Sequence, residues 1–124
     1  MSLMYQDETY AIRGAVFDVY REMGHGFLEA VYQECLEKEL NLKGIPFVAH
    51  PELKLNYKGD VLQQTYKPDL ICYTRIIIEL KAVKDILPEH QAQLVNYLRA
   101  TNLKIGLLIN FGSHPKAEIE RFVL

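Results

Sequence analysis

At 124 residues, with 49% hydrophobic and 24% charged side chains, the chain has the size of one ordinary domain and the make-up of a globular protein rather than a disordered or fibrous one. A net charge of −2 argues against a protein that coats nucleic acid, and no apolar run approaches the roughly 20 residues that span a bilayer. The N-terminus lacks the basic-then-apolar layout of a signal peptide, so a cytoplasmic protein is expected.

Residues 1–6, in which Met1-Ser2-Leu3 stands ahead of a second methionine, are set aside as a disordered or cloning-derived lead. From Asp7 to Met23 the apolar residues Ile12, Ala15, Val16, Val19 and Met23 recur at helical steps, which predicts an amphipathic helix. Gly24-His25-Gly26 interrupts it, and a second helix is expected from about Phe27 to Leu42, with Val31, Cys35, Leu36 and Leu40 inward and Gly44 as its stop. Residues 47–57 and 61–73, separated by Lys58-Gly59-Asp60, are rich in alternating and β-branched or aromatic positions and read as two strands of a hairpin. Residues 75–83 follow as a third strand. Leu87-Pro88-Glu89 opens a third helix to about Thr101, Lys104–Asn110 is a compact strand, and Ala117–Leu124 is a candidate edge strand. The order ααβββαβ predicts one α/β domain over residues 1–124, a mixed sheet flanked by helices.

Charge is unevenly spread: residues 1–40 hold three Lys/Arg against eight Asp/Glu, whereas residues 41–84 hold seven against four. A polyanion would therefore meet the middle third. There, Ile76-Ile77-Ile78 runs straight into Glu79-Leu80-Lys81. In a strand, residues two apart share a face, so Glu79 and Lys81 project together while Leu80 points into the core. A tight turn near Tyr73-Thr74-Arg75 would fold Asp69, preceded by Pro68, back beside Glu79. Two carboxylates and a lysine in one small area suit a hard divalent cation such as Mg²⁺, which prefers carboxylate oxygens and completes its shell with water and phosphate. The chemistry implied is phosphodiester hydrolysis. A surface salt bridge on an ordinary hairpin is the plain alternative, weakened by the expense of unpaired charge in a central strand.

Pro68-Asp69, nine intervening residues, then Glu79-Leu80-Lys81 resembles the bipartite signature of the PD-(D/E)XK nuclease superfamily. The stretch from Gly26 through Glu29 to Tyr32 resembles the motif that names its GxxExxY family, and "HQAQLVNYLRATNLKIGLLINFG" is similar to that family's third helix and following strand. The resemblance runs from about residue 8 to residue 123 and implies a restriction-endonuclease-like fold. It implies that Asp69 and Glu79 hold Mg²⁺ or Mn²⁺, assisted by the carbonyl of Leu80, with Lys81 as the catalytic lysine. Glu29 matches a helical acid that completes or bridges the metal site, and Gln93 and Tyr97 match a Gln-x-x-x-Tyr element.

Read physically, Glu29 in the first turn of a helix is explained more simply by the helix dipole and by capping, although Tyr32 and Leu36 place it beside the buried stripe. Gln93 and Tyr97 lie one turn apart and can touch over the site, or equally Tyr97 is a partly buried anchor and Gln93 a surface residue; Gln91, on the stripe of Leu87, Leu94 and Leu98, is a rival for the inward position. Gly24-His25-Gly26 reads either as an anion cradle or, more simply, as a flexible link. The four histidines have no metal-ligand spacing, and Cys35 and Cys72 read as free buried thiols, not nucleophiles. Lys54, Lys58, Lys67 and Lys84 are candidates to steer a phosphate backbone.

The favoured function is thus metal-dependent hydrolysis of DNA or RNA. The main rival is a module that keeps the fold and binds nucleic acid or protein without cutting; a third reading is hydrolysis of another phosphate ester. With no separate DNA-reading motif, specificity is expected to be low or supplied by a partner, either another protein or a second copy.

Overall fold

The computed structural model describes residues 5–124. Residues 1–4 of the set-aside lead lie outside the described residues, and Gln6 already opens a helix. That helix, α1 (Gln6–Met23), buries Ile12, Ala15, Val16 and Val19, the stripe its periodicity calls for. Helix α2 (Glu29–Leu42) buries Tyr32, Leu36 and Leu40 and packs beside α1.

The two long strands expected at 47–57 and 61–73 are each broken once. The first becomes β1 (Phe47–Ala49) and β2 (Leu53–Tyr57); the second becomes β3 (Asp60–Tyr66) and β4 (Leu70–Cys72). Both breaks fall at prolines, Pro51 and Pro68, which cannot donate to a ladder, and His50 beside the first adopts a left-handed φ of 48°. The hairpin therefore bends as a whole. Its tip, β2–β3, forms a separate two-stranded ribbon, while its base, β1–β4, joins the main sheet.

Strand β5 (Ile76–Lys81) pairs antiparallel with β4 through the three-residue connection 73–75, in which Tyr73 and Thr74 both have positive φ, 55° and 61°, and the Arg75 N–H donates to Cys72 O at 3.1 Å, a type I′ turn. Helix α3 (Pro88–Thr101) then crosses over to β6 (Ile105–Asn110), parallel to β5, and β7 (Glu118–Val123) closes the edge antiparallel to β6. The main sheet reads β1-β4-β5-β6-β7, a mixed sheet with helices on its faces, and the full order is ααβββββαββ. The predicted third strand ends at Lys81 and not at residue 83, because Val83 is captured by a side chain, as described below.

Alternation along β5 divides the core in two. Ile76, Ile78 and Leu80 pack with Ile105, Leu107 and Ile109 against α1 and α2. Ile77 and Leu108 face the other way, against Leu94 and Leu98 of α3 and Tyr66 of the ribbon. Gly106 allows α3 its close approach, since a Cβ there would meet Leu94 Cδ1 at 3.0 Å. The two cysteines are free; Cys72 is buried, which pushes its thiol up to about 12, and it packs as a core residue.

Candidate active site

Glu79 and Lys81 follow Ile77 on the α3 side of β5, at the end of the strand where the apolar layer stops. The β4–β5 register, Leu70↔Ile78, puts Asp69 directly across from Glu79. Backbone hydrogen bonds lock the pair: the Asp69 N–H donates to Glu79 Oε1 at 2.9 Å, and the Leu80 N–H donates to Asp69 Oδ2 at 2.7 Å. Each carboxylate thus uses one oxygen on the backbone and has a second to offer. In a strand, N–H and C=O of one residue point to the same side. The Leu80 carbonyl is accordingly directed towards Asp69, whereas the carbonyl of Lys81 accepts from Phe111 N at 2.8 Å on the β6 side.

A polar cavity of about 330 Å³ opens here, lined by Glu29, Asp69, Glu79, Lys81, Gln93 and Tyr97, with Leu80, Thr65, Tyr66 and Lys67 completing its wall. Every sequence-proposed site residue is brought to it. Of the two competing glutamines, Gln93 lines the cavity, while Gln91 turns away to donate to Glu120 Oε2 on β7 at 2.7 Å. Tyr97 reaches the cavity through its ring, which stacks on Tyr66 at 3.8 Å between centroids and 4° between planes.

The carboxyls are electrostatically strained. Glu79 is pushed up to about 7, chiefly by burial and further by the Asp69 charge, against opposition from the Asp69 N–H, the Tyr66 hydroxyl and the Lys81 ammonium. Glu29 is raised by loss of surrounding water and then by Asp69, with Lys81 opposing. A divalent cation would relieve this crowding. Among the described residues no group of three or more His, Cys, Asp or Glu side chains is gathered tightly enough to hold a metal. However, Asp69, Glu79 and the Leu80 carbonyl match the one or two carboxylates plus waters that Mg²⁺ takes. The donor set present fits such an ion.

The stretch Gly26-Glu29-Tyr32 also gains a physical reading. Gly26 has a φ of +111°, open to glycine and strained for other residues. Tyr32, fully buried, donates its hydroxyl to Gly24 O at 2.6 Å and accepts from Phe27 N at 3.3 Å. Its ring stacks on Phe111 with centroids 4.5 Å apart. The segment entering α2 is thereby tied to the core, and Glu29 at its start faces the cavity. The glycines serve as a link.

Several supports were not evident in the sequence. Gln33 donates to Asp69 O at 3.1 Å from α2, and His50 N donates to the same carbonyl at 3.0 Å. Asn110, fully buried, accepts from Val83 N and Gly112 N, both at 3.0 Å, and donates to Val83 O at 2.8 Å. It clamps the chain just beyond Lys81, and Gly112 must be glycine because a Cβ would lie 2.3 Å from Val83 O. The one available signal was a polar Asn ending an apolar strand. Histidines far apart in sequence also meet: the rings of His25 and His114 lie 4.5 Å apart.

The crystal structure of SSO0001 is similar in fold, with a TM-score of 0.60 at 19% sequence identity over 96% of this chain, which spans 60% of that one. No curated protein matches. No helix among the described residues is long and apolar enough to cross a membrane. A family model described as the PD-(D/E)XK nuclease superfamily matches residues 6–122, and the chain belongs to that superfamily.

Proposed function

We propose that this protein is a divalent-metal-dependent nuclease of the GxxExxY branch, hydrolysing phosphodiester bonds in DNA or RNA. The observation that carries the reading is the convergence of Asp69 and Glu79 on one cavity with Lys81 beside them on the same strand face. Asp69, Glu79 and the Leu80 carbonyl hold Mg²⁺ or Mn²⁺, with Glu29 approaching from α2 to complete or bridge the site. The chemistry such an ion supplies when bound is Lewis acidity towards a phosphoryl oxygen.

The chain's own residues do the rest. Lys81, half-buried at the strand end, orients the attacking water and offsets the negative charge that grows on the phosphoryl oxygens. Gln93, exposed on α3 at the cavity rim, orients water or phosphate. Lys67 on the cavity wall, with Lys54 and Lys58 on the ribbon, draws the phosphate backbone towards the site. No residue run is dedicated to base readout, so sequence preference is low or comes from a partner.

The test is a Mg²⁺ and Mn²⁺ titration of wild type and Lys81→Ala with labelled single- and double-stranded DNA and RNA. Metal-dependent cutting by wild type alone supports the nuclease. Tight binding with no cutting by either protein would favour the non-catalytic module, which needs neither carboxylate nor lysine.

A further inference from the structure

The cavity that holds the reacting groups does not stand alone. On the α2 side a second cavity of about 190 Å³ shares Glu29 and Asp69 with it as walls, and adds Ala30, Gln33 and His50 of its own. On the α3 side a third, of about 510 Å³, shares Gln93 and Tyr97, and adds Glu89, His90, Ala92 and Asn96. The two outer cavities have no residue in common. The three therefore form a row, with Asp69, Glu79 and Lys81 in its middle member.

The chemistry changes along the row. Carboxylates crowd the middle, whereas the outer cavities add amides and imidazoles, Gln33 and His50 at one end and His90 and Asn96 at the other, with Glu89 as the one further acid. Amides and imidazoles hydrogen-bond to phosphate oxygens and to base edges alike. Two of these residues are anchored. The His50 N–H donates to Asp69 O at 3.0 Å, and His90 Nδ1 accepts the Leu87 N–H at 3.1 Å. That leaves the His50 ring and the far nitrogen of His90 for a ligand, on positions already held in place.

Such a row suits a chain that enters at one end and leaves at the other. An enzyme that consumes strand ends needs its cavity to stop at the terminal nucleotide, and here cavity continues on both sides of the reacting groups. A base pair kept in its stack does not enter cavities of this size, whereas an unpaired base can be turned into one. We propose that Gln33 and His50 on one side, and His90 and Asn96 on the other, form two nucleotide subsites flanking the reacting groups, so that the protein threads an unpaired strand along the row and cuts it internally. The cutting rests on the nuclease reading; the row as a binding surface does not.

The test presents single-stranded DNA and RNA of one sequence, each as a covalently closed circle and as a linear chain, to the protein with Mn²⁺. Circle and linear chain should be cut at similar rates, and the early products should be internal fragments, not mononucleotides. Cutting of linear chains alone would overturn the proposal, as would equal cutting of a relaxed duplex circle. His50→Gly suits the left-handed backbone at that position, φ 48°, and keeps the N–H on Asp69. It and Asn96→Ala are each expected to raise KM for the circle about fivefold, the worth of one hydrogen bond, with kcat kept. In the double variant the two effects should multiply, because the cavities have no residue in common. An unchanged KM in either single variant overturns its subsite and with it the row. If wild type cuts neither form, the nuclease reading fails, and fluorescence anisotropy of a labelled single-stranded oligomer in Ca²⁺ decides the row by itself. Weaker binding by both variants upholds it; equal binding by all three proteins, or none by wild type, overturns it.

Discussion

The two faces of β5 differ by one residue of register and by everything else. Ile76, Ile78 and Leu80 are buried to 1% or less against α1 and α2, an unbroken apolar row in which each side chain contributes to holding the fold. On the opposite face Ile77 is followed by Glu79 and Lys81, half-buried at a cavity. Charges survive there because the layer above, α3 and the bent ribbon, covers Ile77 and then parts. The same strand packs the core on one side and gathers charged groups at a cavity on the other. Rigid packing behind the strand is what allows poorly solvated carboxylates to be held together in front.

That division predicts opposite phenotypes from neighbouring positions. Lys81→Ala should lower the rate of phosphodiester cleavage on the order of 10³-fold, or about 4 kcal/mol of barrier, while moving folding stability by less than about 1 kcal/mol. Single-turnover kinetics beside thermal denaturation measures both. Ile78→Ala, three residues earlier and facing α1 and α2, should cost about 3 kcal/mol of stability. Cleavage at a temperature where the variant remains folded should change little. A variant at either position that lost stability and activity in equal proportion would break the distinction between faces.

Legibility in the sequence followed the same line. Elements with a single dominant period were readable: α1, α3 and β6 lie where periodicity and stop signals put them, β5 is present but ends two residues early, and the edge strand at the tail is present as β7. The middle of the chain was harder because Pro51 and Pro68 sit within otherwise strand-like runs, and alternation alone does not say that a hairpin bends into two sheets. At the site, the charged residues stood out because charge beside Ile-Ile-Ile is anomalous. Their supports did not. Gln33 and Asn110 act through contacts 36 and 27 residues away in sequence, to Asp69 and Val83, and such separations leave no local pattern.

The polar face can be tested by pH alone. Burial pushes the Glu79 carboxyl up to about 7 in the folded protein, from the roughly 4.5 of an exposed glutamate. A raised acid favours folding when protonated, so its contribution is fully present below the unfolded value and is lost as pH rises through the folded one. Metal-free wild type should therefore lose stability between about pH 4.5 and 7 relative to Glu79→Gln, and the variant should be the more stable by about 3 kcal/mol at pH 8. Denaturant titrations across that range check it. Metal binding, which needs the ionised carboxylate, should strengthen over the same interval. An equal pH dependence in both proteins would show that Glu79 is no more buried than an ordinary surface acid.

The smallest effect concerns a residue that ties the two faces together. Tyr32 belongs to the apolar core, stacked on Phe111, but its hydroxyl reaches the segment from Gly24 to Phe27 that delivers Glu29 to the cavity. Tyr32→Phe keeps the stack and removes only those two hydrogen bonds, so stability should fall by about 1 kcal/mol. Glu29 would then hang from a looser helix start, and cleavage should drop about threefold, in proportion to how far that acid contributes. Amide hydrogen exchange at Phe27 should quicken in the variant while β5 amides stay protected. Were β5 to lose protection as well, the link would be part of the core itself, and the separation between the stabilising and the reactive face would not extend to α2.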